Sequence, residues 1–367
     1  MDYDMRPRGA VEKALFDLRR RFEQYGYARY RVSQFEEYDL YARNRSFITG
    51  GGILSFTDTD GCLRALKPDV TLSIIKNVRP TGGVSKVYYN ESVYRAADPM
   101  AGFTEIQQTG LECLGELNLY CVCEVLTIAA RSLAAISDRS ILDISHMGLL
   151  SGFLEDIGAP ASCREELLRL AGEKNSHEAA RVAQSSGISP EHMETFRSLI
   201  HLRAGLAEAI KTLGSLPLGA NAMAALQELT ELSGALGSLA GSLVLDLSLQ
   251  CDPNYYNGVV FKGFLPGIPS AILSGGRYDG LVQRLGRDAG AMGFAVYLNL
   301  LERWGAEPDR PDADVLLIDE GADAGAVLEL ANGLIAEGRR VRVDRVVPEG
   351  FRCGQIIRIS KEGTHHA

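Results

Sequence analysis

The chain reads as an α+β protein: an antiparallel sheet flanked by helices, interrupted by a helical insertion and followed by a small C-terminal α/β unit. Three observations predict this. Strand-like runs are joined in pairs by turn residues over 53–66, 84–113 and 259–273. From about 152 to 240 the composition shifts to Leu, Ala, Glu and Arg, and between 314 and 359 short apolar runs alternate with one helical stretch. The boundaries that follow are 1–150 with 241–305 for the sheet domain, 151–240 for the insertion and 312–361 for the C-terminal unit.

In chain order, Val11, Leu15, Leu18 and Phe22 recur at helical spacing over 8–25, and Gly26 is the expected stop. Ile53 to Leu66 predicts a hairpin turning at Asp60-Gly61, followed by a helix starting near Thr71. Val84 to Arg95 predicts a strand, Ala96 to Phe103 a loop and Thr104 to Cys113 the return strand. A helix is expected from near Val122 and a strand around Ile141 to Ile144. In the insertion, Met223, Leu226, Leu229, Leu232 and Leu236 fall on one helical face. Val259 to Phe261 and Ala271 to Leu273 predict a second hairpin across Pro266-Gly267. The C-terminal unit reads as strand Val315 to Ile318, helix Ala322 to Glu337, strand Val341 to Val343 and a last strand Gln355 to Ile359, with His365-His366 in a frayed tail.

With 367 residues, 46% hydrophobic and 23% charged, the chain has the composition of an ordinary globular protein with a large core. No apolar run approaches the roughly 20 residues of a membrane span, and MDYDMRPRG lacks the apolar core of a signal peptide. A cytoplasmic protein without membrane contact is expected. The 7 cysteines are scattered, odd in number and without a C-x-x-C pair, which points to free thiols, and the dispersed histidines give no metal site. Net charge is −9, and basic residues cluster only at Arg19-Arg20-Arg21. Nucleic-acid binding, which draws most of its affinity from phosphate neutralisation, is disfavoured.

The densest chemistry lies in 249–281, LQCDPNYYNGVVFKGFLPGIPSAILSGGRYDGL. Tyr255 and Tyr256 open its first strand, and Gly275, Gly276, Arg277, Tyr278 and Asp279 close its second. Two aromatic walls and close-approaching backbone suit a small polar ligand such as an amino acid. This segment resembles the histidine-binding half of histidyl-tRNA synthetases. One family motif, Gly-Gly-Arg-Tyr-Asp-Gly-Leu, is intact as Gly275 to Leu281. The other, Arg-Gly-Leu-Asp-Tyr-Tyr, keeps its tyrosines, with Cys251 in place of the arginine.

The resemblance extends over roughly residues 8 to 304. RVSQFEEYDLY resembles the first class II synthetase motif, which implies a dimer, with Ser33 in the proline position. Lys67-Pro68-Asp69-Val70-Thr71 is similar to Arg-Pro-Glu-x-Thr, which implies that the Asp69 carboxylate holds the α-ammonium of histidine; from the residues alone, Asp69 is as readily the cap of the following helix. Arg95, Gln108 and Glu112 match the second motif, with Arg95 or Gln108 as partner for the ligand carboxylate. Thr104 replaces an arginine of that motif. In the third motif, Tyr297 replaces a glycine and Leu300 an arginine, while Glu302-Arg303 comes three residues late. The implied histidine set is therefore Asp69, Arg95, Gln108, Glu112, Tyr255, Tyr256, Gly275, Gly276 and Tyr278, with no catalytic residue, metal or cofactor.

Adenylation needs cations on the transferring phosphate, so losing several arginines together should remove it. That asymmetry resembles the regulatory-subunit family of ATP phosphoribosyltransferase. The resemblance implies a short catalytic chain as partner in a hetero-octamer, L-histidine as effector and a role in the first step of histidine biosynthesis. An active histidine-adenylating enzyme is the alternative. A synthetase would also carry a fuller anticodon-reading domain than 312–361 provides.

Overall fold

The computed structural model describes residues 10–48, 52–79, 82–98, 102–249, 255–301 and 311–366. Cys251 and the pair Glu302-Arg303 lie outside the described residues.

The chain begins with helix α1 (Ala10–Gln24), whose Leu18 and Phe22 are fully buried, and Gly26 follows at φ +79° as the expected stop. Strands β1 (Ala28–Arg29) and β2 (Phe35–Glu37), helix α2 (Tyr38–Arg43), strands β3 (Ser55–Thr57) and β4 (Leu63–Leu66) and helix α3 (Thr71–Asn77) come next. β2, β4 and β3 form a small sheet, and Gly61 takes φ +80° at its turn. The long hairpin of β5 (Val84–Asp98) and β6 (Gly102–Gly115) corrects the expected loop at 96–103. Pairing continues through Ala96↔Phe103 to Asp98↔Gly102, with a bulge between Ala96 and Asp98.

Helix α4 (Leu119–Ile136) is capped by Asn118, whose side chain accepts from Cys121 N at 3.1 Å. It is long and apolar enough to cross a membrane by length and composition, yet Val125, Leu126, Ile128 and Leu133 are packed in the core and the buried Glu124 forms an ion pair with the half-buried Lys86. Then follow β7 (Ile141–His146), α5 (Met147–Asp156), α6 (Ala161–Gly172), α7 (Ser176–Ser185), α8 (Pro190–His201), β8 (Arg203–Gly205), α9 (Leu206–Leu213), α10 (Ala220–Leu236) and β9 (Leu243–Asp246). In α10 the inward face is Ala222, Ala225, Leu226, Leu229 and Leu232. Met223 is instead 45% exposed, because the small alanines let the helix approach α5 more closely.

Strands β10 (Val259–Phe264) and β11 (Leu273–Arg277) make the second hairpin, with the return strand beginning where the expected one ended. After α11 (Asp279–Arg284) and β12 (Gly290–Tyr297), a 3-10 turn covers Leu298–Leu301.

Among the described residues the main sheet runs β1-β5-β6-β12-β11-β10-β7-β9-β8, antiparallel except at β1/β5 and β7/β9. Its strands sort side chains by parity. Leu111, Cys113, Phe294 and Val296 point into the large core with α1 and α4, which continues without a break into Phe153, Leu167, Leu199 and Leu226 of the helical segment. Residues 151–240 thus share their core with the sheet, and β8 lies at its edge. The opposite parity, Tyr89, Leu114 and Ala291, faces a second core with Tyr41, Leu72, Ile74, Tyr278 and Leu281. Each fully buried aliphatic or aromatic side chain contributes about 1.5–3 kcal/mol to these cores.

The chain divides into two compact units, Met1–Gly305 and Ala306–Ala367. The second contains β13 (Ala313–Asp319), α12 (Ala324–Ala336), β14 (Val341–Asp344), β15 (Cys353–Ser360) and β16 (Gly363–His366), ordered β14-β13-β15-β16. β16, antiparallel to β15, replaces the frayed tail expected at His365-His366. Val315, Leu317, Val327, Ile357 and Ile359 make its core.

Candidate functional site

A cavity of about 520 Å3 opens on the sheet face away from the large core, and Asp69, Arg95, Gln108, Glu112, Tyr255, Tyr256 and Tyr278 all line it. They reach it from five places in the chain. Asp69 stands just before α3, Arg95 lies on β5, and Gln108 and Glu112 lie on β6, four residues apart and so on one face. Tyr255 and Tyr256 precede β10, and Tyr278 follows β11 at the start of α11.

Asp69 takes the capping role and also faces Arg95. Its Oδ1 accepts from Leu72 N at 2.8 Å and so caps α3, while Oδ2 lies 3.6 Å from an Arg95 guanidinium nitrogen. Burial raises its pKa, opposed by Arg95 and by the amides of Leu72 and Thr71. Arg95 is fixed from the other side, since its Nε donates to Pro68 O at 2.7 Å.

Glu112 is the most perturbed carboxyl here. Burial pushes its pKa up to about 8, opposed by the hydrogen bonds from Tyr278 and Thr71 and reinforced by the Asp69 charge. Thr71 Oγ1 donates to Glu112 Oε1 at 2.8 Å, and the Tyr278 hydroxyl donates to Oε2. Near neutral pH this acid is therefore mainly protonated, so it offers a ligand both a donor and an acceptor. The hydroxyls of Tyr89, Tyr255 and Tyr278 are held neutral by burial, which raises all three pKa values.

Aromatic rings wall the cavity. Tyr255 lies with its ring centroid 4.6 Å from Tyr256, 5.7 Å from Tyr278 and 6.1 Å from Phe47.

Gly275 and Gly276 do not line the cavity. A side chain at Gly275 would come within 2.4 Å of Gly293 O and Phe294 Cβ, and one at Gly276 within 2.8 Å of the Tyr256 ring. These glycines let strands and the tyrosine wall close up, which gives them a packing role. The motif's Arg277 and Asp279 also work structurally: Arg277 Nε donates to Asp279 Oδ2 at 2.7 Å, and Asp279 Oδ1 accepts from Ala291 N at 2.9 Å.

Of the altered nucleotide-side positions, Tyr297 lines the cavity, Thr104 is exposed and Leu300 packs against the large core. Leu300 therefore lies outside the cavity lining. Sequence reasoning missed Phe47, Ile48, Tyr89, Lys262, Ser274 and Gly293 in the lining. For Tyr89, Lys262 and Ser274 the signal was strand register, since Tyr89↔Gly110, Ala295↔Gly110, Ser274↔Ala295 and Lys262↔Ser274 align them across one sheet face.

Residues 2–301 match the family profile described as Histidyl-tRNA synthetase. The ATP phosphoribosyltransferase regulatory subunit of Symbiobacterium thermophilum is 31% identical over 304 residues, which cover 80% of this chain and 76% of that one. The crystal structure of an ATP phosphoribosyltransferase regulatory subunit/histidyl-tRNA synthetase from Bacillus halodurans C shares the fold with a TM-score of 0.75 at 23% identity, over 94% of this chain and 93% of that one. A chain from the ATP phosphoribosyl transferase (HisG:HisZ) complex of Thermotoga maritima shares it with a TM-score of 0.62 at 20% identity, over 78% and 97%. With its sheet, its cavity and these relatives, the chain belongs to the histidyl-tRNA synthetase-like family, among its ATP phosphoribosyltransferase regulatory subunits.

Proposed function

We propose that this chain is a non-catalytic subunit that a short ATP phosphoribosyltransferase chain requires for the first step of L-histidine biosynthesis, and that L-histidine bound in the cavity takes part in feedback control. The observation that carries this reading is the uneven survival of the site. The side chains expected to meet an amino acid share one cavity, while Tyr297 brings a bulky ring where the synthetase resemblance requires a glycine. In the pose we propose, the ammonium group of histidine meets Asp69, its carboxylate meets Arg95 or Gln108, and its ring lies among the tyrosines with a nitrogen toward Glu112. Arg95 alone of the expected arginines is left for a nucleotide, too little to stabilise a transferring phosphate.

The proposed partner is the short catalytic chain, in a hetero-octamer built on dimers of this protein and working in the cytoplasm. Histidine acts in this scheme only through a difference in affinity between two arrangements of the subunits. Mixing the purified chain with a short catalytic chain tests this. Phosphoribosyl transfer should rise on complex formation and fall when histidine is added. Failure of the two chains to co-elute, with transfer unchanged by mixing, would remove the proposal.

A further inference from the structure

A second cavity adjoins the tyrosine wall. It holds about 970 Å3, and Tyr256 lines both it and the first cavity. Such a volume is near the top of the roughly 300–1,000 Å3 usual for small-molecule pockets, which are mostly apolar with a few placed polar groups. The apolar surface comes from Met147 and Leu150 on α5, Leu168 on α6, and Leu247 and Leu249 after β9. Ser145 stands among them. It is only 4% exposed, and parity on β7 turns it away from Ile144, which sits in the large core. Among the described residues its hydroxyl has no hydrogen-bond partner, yet its oxygen is not sealed in protein. It is therefore open to whatever enters the cavity. The neighbouring His146 is already engaged at both nitrogens: Gly148 N donates to Nδ1 at 3.2 Å, which leaves the ring proton on Nε2, 3.1 Å from Glu228 Oε2.

We propose that this cavity is a second ligand site, for a neutral and mainly apolar small molecule whose polar group hydrogen-bonds to Ser145. Burial against the leucines and Met147 drives binding, and Ser145 sets the orientation. The charges of the lining select against anions. Glu165, Glu166 and Arg169 line the cavity from α6, and Arg169 is held by Glu166 at 2.6 Å and by Glu173. Among the described lining residues two carboxylates then outweigh one guanidinium, so an incoming carboxylate or phosphate would lose hydration without gaining an open cation. The site goes beyond the amino-acid reading of the first cavity and does not depend on histidine binding there.

Calorimetric titration of the full-length protein with indole, a neutral ring bearing one N–H, tests this, with indole-3-acetate as the anionic counterpart. Indole should bind the native protein roughly tenfold or more tightly than indole-3-acetate. Ser145→Ala should weaken indole about two- to tenfold, the worth of one hydrogen bond. Ser151 also lines the cavity, and its Oγ only donates back to Met147 O within α5, at 2.9 Å. Ser151→Phe should therefore fill the space and abolish indole binding. Unchanged melting of each variant checks that it folds. A crystal of the complex should place the ring beside Ser145, Leu150 and Leu247. No binding of indole by the native protein, equal binding by folded Ser145→Ala and Ser151→Phe, indole-3-acetate binding as tightly as indole, or a ring found among Tyr255 and Tyr278 instead, overturns the site.

Discussion

Asp69 carries two duties that one pair of substitutions separates. Asn keeps an oxygen to accept from Leu72 N but loses the charge that faces Arg95, whereas Ala loses both. Asp69→Asn should therefore weaken histidine binding at least tenfold with little change in stability. Asp69→Ala should add a loss of about 0.5–2 kcal/mol from the missing cap, read by urea unfolding. Glu112 makes a prediction in pH. Its pKa in the folded chain is about 8, against an ordinary 4.5, so between those values the folded state holds a proton that the unfolded state has released. This contribution is fully present below about pH 4.5 and is lost as pH rises through 8. Glu112→Gln should remove that decline, so the stability of the native protein relative to the variant should fall between pH 6 and pH 8.5, as urea midpoints would show. A parallel pH dependence in both proteins would contradict the assignment. The sequence made Asp69 and Glu112 legible as candidates because their motifs survive, but Glu112's proton depends on its depth beneath Tyr278 and Thr71. No local pattern records that depth.

Between residues and whole molecule, the strands hold the cavity in shape. Gly293 on β12 lies directly opposite Glu112, and a Cβ there would sit 1.8 Å from Glu112 Oε2. Gly293→Ala should displace the acid and destabilise the protein by about 1–3 kcal/mol, with histidine binding lost in parallel; normal stability with normal binding would contradict the packing. The entry to α3 is held by Lys67, fully buried, whose Nζ lies 2.6 Å from Glu91 Oε2 on β5 and also donates to Val32 O. Replacing Lys67 alone with Met leaves a buried carboxylate without its partner and should cost about 3–5 kcal/mol, most of it recovered in Lys67→Met with Glu91→Leu. Thermal unfolding of the single and double variants measures this. Most elements were legible from periodicity and turn residues. The β5–β6 hairpin has a shorter loop than the sequence predicts, because Ala96 to Phe103 lacks apolar alternation and is held by backbone pairing with a bulge near its tip. Spacing alone places Met223 on the inward face, whereas Ala222 and Ala225 are the residues buried there.

For the whole molecule, the helical segment 151–240 shares its core with the sheet, so a change in the sheet face has a packed route into those helices. The altered nucleotide-side residues are scattered through the chain and part ways once folded, with Tyr297 in the cavity wall, Leu300 packed against the large core and Thr104 exposed. Sequence comparison made those replacements visible; which of them faces the cavity was a question of strand parity and the turn after β12. The most direct test of an amino-acid cavity without adenylation is histidine-dependent exchange of pyrophosphate into ATP by the pure protein, alongside a histidine titration of the same sample. The account predicts saturable histidine binding with no exchange above a no-protein blank. Sustained exchange that rises with histidine concentration would contradict it.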